Sequence, residues 1–134
     1  MCYLLDTNAC IRVLNRTSES VIERLKKHRP SEIAIASVVR AELYFGARKS
    51  TRVERNLAVL KRFFAPLGSA PFNDACAEHY GMLRADLERA GTPIGPNDML
   101  IAATARAYDA VLVTGNTEEF QRIVGLRLED WERA

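Results

Sequence analysis

Three short apolar runs, set far apart and separated by helical patterns, constrain this chain more than any other feature. Tyr3-Leu4-Leu5, Ile33-Ala34-Ile35-Ala36 and Val111-Leu112-Val113 are short, apolar and bounded by polar residues, as buried strands are. A helix starts near Thr7, and residues 20–28 are helical in pattern. Ser37 is placed to cap a third helix that runs to about Gly46. A fourth spans roughly Val53 to Phe64 and is bounded by Pro66. Asn73 caps a long amphipathic helix in which Cys76, Tyr80, Leu83, Leu87 and Ala90 recur every three or four residues, and Gly91 ends it. The turn-rich stretch 91–96 delivers Asp98 to the start of an Ala-rich helix. A short helix and a last strand around residues 126–128 complete the order. Strands alternating with helices predict an α/β fold with a mainly parallel central sheet, and right-handed crossovers put helices on both of its faces.

The 134 residues fit one domain, expected over 1–134. A chain of that length buries roughly two-thirds of its unfolded surface and needs no disulfide or structural metal to fold. Cys2, Cys10 and Cys76 form neither an even framework nor a C-x-x-C pair, and Cys76 lies on the apolar stripe of its helix. No apolar run approaches a membrane span, and the residues after Met1 have neither the basic start nor the apolar stretch of a secretory signal. The expected address is cytoplasmic.

Net charge is only +2, but its distribution is uneven. Between Arg40 and Arg62 there are seven bases (Arg40, Arg48, Lys49, Arg52, Arg55, Lys61, Arg62) against two acids, Glu42 and Glu54. Such an excess reads equally as a phosphate-facing surface, with Arg48, Lys49, Arg52 and Arg55 at its centre, or as a solvated helix face.

In open α/β sheets, functional groups gather beyond the carboxyl ends of the strands. Asp6 directly follows the first strand, and Thr114 and Asn116 follow the strand 111–113. Glu42 lies in the second turn of the helix that begins after 33–36, Asp98 opens another helix, and Glu119 follows Asn116 in the short helix. If these acids converge, they repel one another, and a divalent cation relieves the repulsion. All-oxygen ligands suit magnesium or manganese, the usual equipment of phosphodiester cleavage. Each acid also has a plainer reading: Asp6 as a helix N-cap, Asp98 as a favourable charge at a helix start, Glu42 as a surface acid beside Arg40. The two histidines, His28 and His79, have no nucleophile partner in the pattern, which argues against a histidine-based hydrolase. Neither the P-loop nor the dinucleotide glycine motif occurs, and Asn8 stands where a D-x-D phosphotransferase would need an acid.

At these residues the chain resembles the PIN-domain family, and within it the VapC-like toxins. The resemblance is carried in order by Leu4-Leu5-Asp6-Thr7-Asn8, by Ala41-Glu42-Leu43-Tyr44-Phe45-Gly46-Ala47, by residues 91–98 ending in Asn97-Asp98, by residues 112–120 around Thr114-Gly115-Asn116, and by residues 125–131. It implies a three-layer α/β/α domain and a magnesium- or manganese-dependent endoribonuclease, the toxin of a type II toxin–antitoxin pair. Asp6, Glu42, Asp98 and Glu119 would be the catalytic acids. Asp6 and Asp98 would ligate the metal directly, Glu42 directly or through water, and Asn8, Thr114 and Asn116 would support them. Asn116 stands where many relatives carry a fourth aspartate, and Glu119 resembles the substitute of one branch, similar to enteric toxins that cut initiator tRNA in its anticodon loop. The resemblance further implies a VapB-like antitoxin whose tail covers the acids, a homodimer, DNA contact only through the antitoxin, and no membrane association. A catalytically inert PIN module that binds RNA or serves as a repressor subunit is the alternative, and an RNA-processing enzyme without an antitoxin is a third.

Overall fold

A computed structural model describes residues 2–133; Met1 and Ala134, the ends of the expected 1–134 domain, lie outside the described residues. Five parallel strands form one sheet: β1 (Tyr3–Leu5), β2 (Ile33–Ala36), β3 (Gly68–Ala70), β4 (Val111–Val113) and β5 (Leu128–Glu129). Their spatial order is β3-β2-β1-β4-β5, so the chain winds one way from β1 through β2 to β3, then crosses back to β4 and β5. The junction between β1 and β4 is the topological switch point, beside which open α/β sheets place their functional groups at the strands' carboxyl ends.

Among the described residues seven α-helices connect the strands: α1 (Thr7–Asn15), α2 (Glu19–Lys26), α3 (Ser37–Arg48), α4 (Val53–Phe64), α5 (Asp74–Ala90), α6 (Pro96–Ala107) and α7 (Thr117–Phe120). Their starts and stops have local causes. Asp6, Ser18 and Asn73 cap α1, α2 and α5 by accepting from backbone N–H groups of Ala9, Val21 and Cys76. Gly91 ends α5 in the left-handed conformation (φ +68°), which glycine adopts without steric cost. Pro96 occupies the first turn of α6, where its missing N–H leaves no bond unmade.

The sheet's central strands are sealed on both sides: every residue of β2 is buried, as are Leu4, Leu5, Leu112 and Val113. The Ala-rich face of α6 packs here because Ala102, Ala103 and Ala105 let its backbone approach closely. Cys76 is buried, as its place on the apolar stripe predicts, and Cys10 is buried as well. At the other end of the sheet Trp131 is buried, stacked on His28 with ring centroids 5.2 Å apart, and its indole N–H donates to Glu129. His79 accepts from Arg106, so both histidines are engaged structurally. Among the described residues no helix is long and apolar enough to cross a membrane.

The structure corrects three details of the sequence reading. Strand β3 was not anticipated, because Gly-Ser-Ala lacks the β-branched and aromatic residues that mark strands; it pairs as an edge strand, with Gly68 set against the Ala34 side chain. Ser37 is not a cap: Ala36 occupies that position without a side-chain bond, and Ser37 is already helical. The last strand is Leu128–Glu129 rather than 126–128.

Candidate functional site

Asp6 leaves β1 and its backbone N–H bonds to Val113 O of β4, which fixes it at the switch point. Its side chain is almost fully buried (5% exposed), where Oδ1 accepts from the Ala9 N–H at 2.8 Å. The Thr114 hydroxyl bonds its carboxylate and accepts from the Asn116 N–H at 2.9 Å. Asp6 is therefore both the N-cap of α1 and a buried site acid, so the two readings of this residue are compatible. Burial raises its pKa, and the bonds from Thr114 and Ala9 partly offset that.

Asp98 sits in the first turn of α6, half-buried, across the cleft. Its carboxyl is pushed up from an ordinary 3.8 to about 6, first by burial and then by repulsion from Glu119, Asp6 and Glu42. The four acids from β1, α3, α6 and α7 thus share one electrostatic neighbourhood. Glu119 is the best anchored: it accepts from the Gly95 N–H at 3.2 Å and from the Asn116 amide at 2.7 Å. Glu42 is different. Its Oε1 is buried and has no hydrogen-bond partner. It is not the surface acid beside Arg40, whose guanidinium turns away to the carbonyls of Ile35 and Gly68.

An unpartnered buried carboxylate oxygen is costly, and four mutually repelling carboxylates are costlier. Both observations fit a hard divalent cation, and the donors are all oxygen. Among the described residues no three acidic, imidazole or thiol groups are drawn into one closed ligand cage.

Asn8 does not join the supporting bonds. It is exposed on the first turn of α1, and among the described residues it makes no hydrogen bond to the acids, because the helix has already turned it toward solvent. Arg48, Lys49, Arg52 and Arg55 are all exposed around the turn between α3 and α4. Arg55 and Glu42 line one groove of about 420 Å³ together with Ile11, Leu14 and Leu43.

Two features escaped the sequence reading. Gly95 supplies a backbone donor to Glu119, which only the Gly-Pro turn before α6 hinted at. Glu132 reaches over the β4–α7 turn: a Cβ on Gly115 would overlap its carboxylate. It pairs with Arg12 at 2.6 Å and adds to the negative field at Asp6. No motif marks that pair.

The PIN domain family matches residues 3–126. Over 129 residues the chain is 43% identical to the tRNA(fMet)-specific endonuclease VapC of Shigella flexneri, covering 96% of this chain and 97% of that one. It is also 43% identical to ribonuclease VapC2 of Rickettsia felis, across 99% of this chain and all of the relative. The chain belongs to the PIN-domain family, among the VapC ribonucleases. Solved relatives agree: VapBC2 from Rickettsia felis bound to a DNA fragment from their promoter superposes with a TM-score of 0.91 at 42% identity, covering 98% of this chain and 99% of that one. DNA-bound VapBC from Salmonella typhimurium gives 0.92 at 42% identity, covering 98% of each chain. The three-layer α/β/α PIN fold expected from the sequence is the one present.

Within this PIN domain the raised carboxyl of Asp98 has a measurable consequence. The folded state holds the proton more tightly than the unfolded chain does, so ionisation of Asp98 opposes folding. The penalty is absent below about pH 4, grows between about 4 and 6, and is complete above about 6. Asp98→Asn removes it, at the smaller cost of a favourable negative charge in the first turn of α6. In chelator near neutral pH, the variant is expected to melt a few degrees higher, corresponding to about 1 kcal/mol once solvent screening of a half-buried group is discounted. The difference is expected to vanish in melts at about pH 4. A variant that melts lower than the parent at neutral pH would show that Asp98 is an ordinary helix-start residue.

Proposed function

We propose that this VapC ribonuclease is a magnesium- or manganese-dependent endoribonuclease whose site is formed by Asp6, Glu42, Asp98 and Glu119, and that it is the toxin of a type II toxin–antitoxin pair. The observation that carries this reading is the gathering of acids at Asp98, whose carboxyl is raised to about 6 first by burial and then by Glu119, Asp6 and Glu42 from separate elements of a PIN fold. Asp6 and Asp98 would hold the metal. When bound, the ion lowers the pKa of its water and offsets charge on the scissile phosphate. The chain's own groups fix the geometry. Thr114 and the Ala9 N–H orient Asp6, while Gly95 and Asn116 orient Glu119. Glu42 brings to the set a buried carboxylate oxygen, Oε1, that no protein group satisfies.

The substrate proposed is the anticodon loop of initiator tRNA, by analogy with the Shigella relative, whose name gives tRNA(fMet) as its target. Arg48, Lys49, Arg52 and Arg55 would hold its phosphates. The partner proposed is a VapB-like antitoxin, as in the solved VapBC complexes, with DNA reached only through it. A cation from the antitoxin's tail placed among the acids would answer the same clustered charge. The toxin is proposed to act in the cytoplasm as a homodimer of single domains spanning residues 1–134. Sequencing RNA ends after brief expression tests the reading: new ends are expected within one tRNA loop, and are expected to disappear on co-expression of the antitoxin encoded beside it. Ends scattered over all RNAs, or none, would contradict the substrate.

A further inference from the structure

We propose that Phe45 is a stacking platform for an unpaired base of the RNA, placed one helical turn from the acidic site. The inference rests on the ribonuclease reading and names a residue that grips the substrate. Phe45 is 65% exposed, the largest aromatic exposure among the described residues. Its neighbour Tyr44 is tied down, with its ring edge-on to Phe64 at 5.6 Å between centroids. Phe45 has no such partner among the described residues; its ring is approached by the Lys49 ammonium, 5.3 Å from the centroid.

Helical spacing gives the position its meaning. Glu42 and Phe45 lie at i and i+3 of α3 and Lys49, its C-cap, at i+7, so the three follow one stripe. A site acid, an exposed aromatic ring and a cation thus follow one another toward the basic turn. That is the arrangement single-stranded RNA requires: charge to track the backbone, and a flat ring for a base, whose π-face any nucleotide offers. Duplex RNA has no free base to place there. Charge favours RNA over a protein partner as occupant. Arg48, Lys49, Arg52 and Arg55 surround the α3–α4 turn against the single acid Glu54, an excess complementary to phosphate.

The test compares wild type, Phe45→Ala and Phe45→Tyr on an RNA hairpin carrying 2-aminopurine in its unpaired loop, and on a blunt duplex of the same stem. Binding is read in chelator by fluorescence, and cleavage separately with magnesium. Phe45→Ala is expected to weaken hairpin binding by between about five- and a hundredfold and to abolish the stacking-dependent fluorescence change. Duplex affinity and sedimentation behaviour are expected to stay as in wild type, and Phe45→Tyr to restore both hairpin signals. If Phe45→Ala binds the hairpin as wild type does, the inference is overturned while the ribonuclease reading stands. If it loses hairpin and duplex equally and changes its oligomeric state, the face belongs to a second copy of the chain, which also overturns the inference. If wild type itself neither binds nor cuts the hairpin, the ribonuclease reading falls and the inference with it.

Discussion

Replacing Asp6 or Asp98 by Asn is expected to lower the rate of RNA cleavage by a hundredfold or more while leaving the chain folded. The amide keeps the shape of the carboxylate, so α1 keeps a capping residue at position 6, and α6 loses only a first-turn charge at position 98. What it loses is the charge that holds a hard cation. Changes to groups that merely orient metal ligands cost roughly ten- to a hundredfold, and a change to a ligand itself belongs at or above that range. The two positions differ in a way that checks the account. Asp6 is buried and bonded to the Ala9 N–H and the Thr114 hydroxyl. An amide has only one acceptor oxygen and must set its NH₂ against one of these two donors, so Asp6→Asn is expected to lose some stability as well as activity. Asp98 is half-buried and bears the repulsion of three acids. Asp98→Asn is therefore expected to lose activity while gaining stability in chelator. Single-turnover cleavage beside thermal melts separates the two effects. Full-rate cleavage by either variant would remove that residue from the metal site.

The divergence between Asp6 and Asp98 also shows what the sequence made legible. Strand ends located Asp6 and Thr114, because a buried run followed by a polar residue has few other meanings in a parallel sheet. Spacing placed Asp98 at a helix start, Glu42 in the second turn of its helix and Glu119 in a short helix, yet only tertiary packing brings them together. Asn116 holds Glu119 through a bond three residues apart, which is local and was readable. The Gly95 bond to Glu119 spans 24 residues and the Arg12–Glu132 pair spans 120, and no periodicity encodes contacts of that kind. Strand β3 was hidden for the opposite reason: Gly68, Ser69 and Ala70 take their conformation from pairing with β2 rather than from their own propensity. Asn8 shows a further limit, since adjacency to Asp6 in sequence became separation once α1 turned.

The unpartnered Oε1 of Glu42 and the repulsion gathered at Asp98 make one central claim, that this cleft is built to be completed by a divalent cation. The most direct measurement is cleavage of a single RNA by the purified chain, first with magnesium, then with excess chelator, then with magnesium restored. The account predicts cutting in the first state, its loss in the second and its return in the third, with manganese able to replace magnesium because both accept the same oxygen donors. Undiminished cleavage in chelator would contradict it.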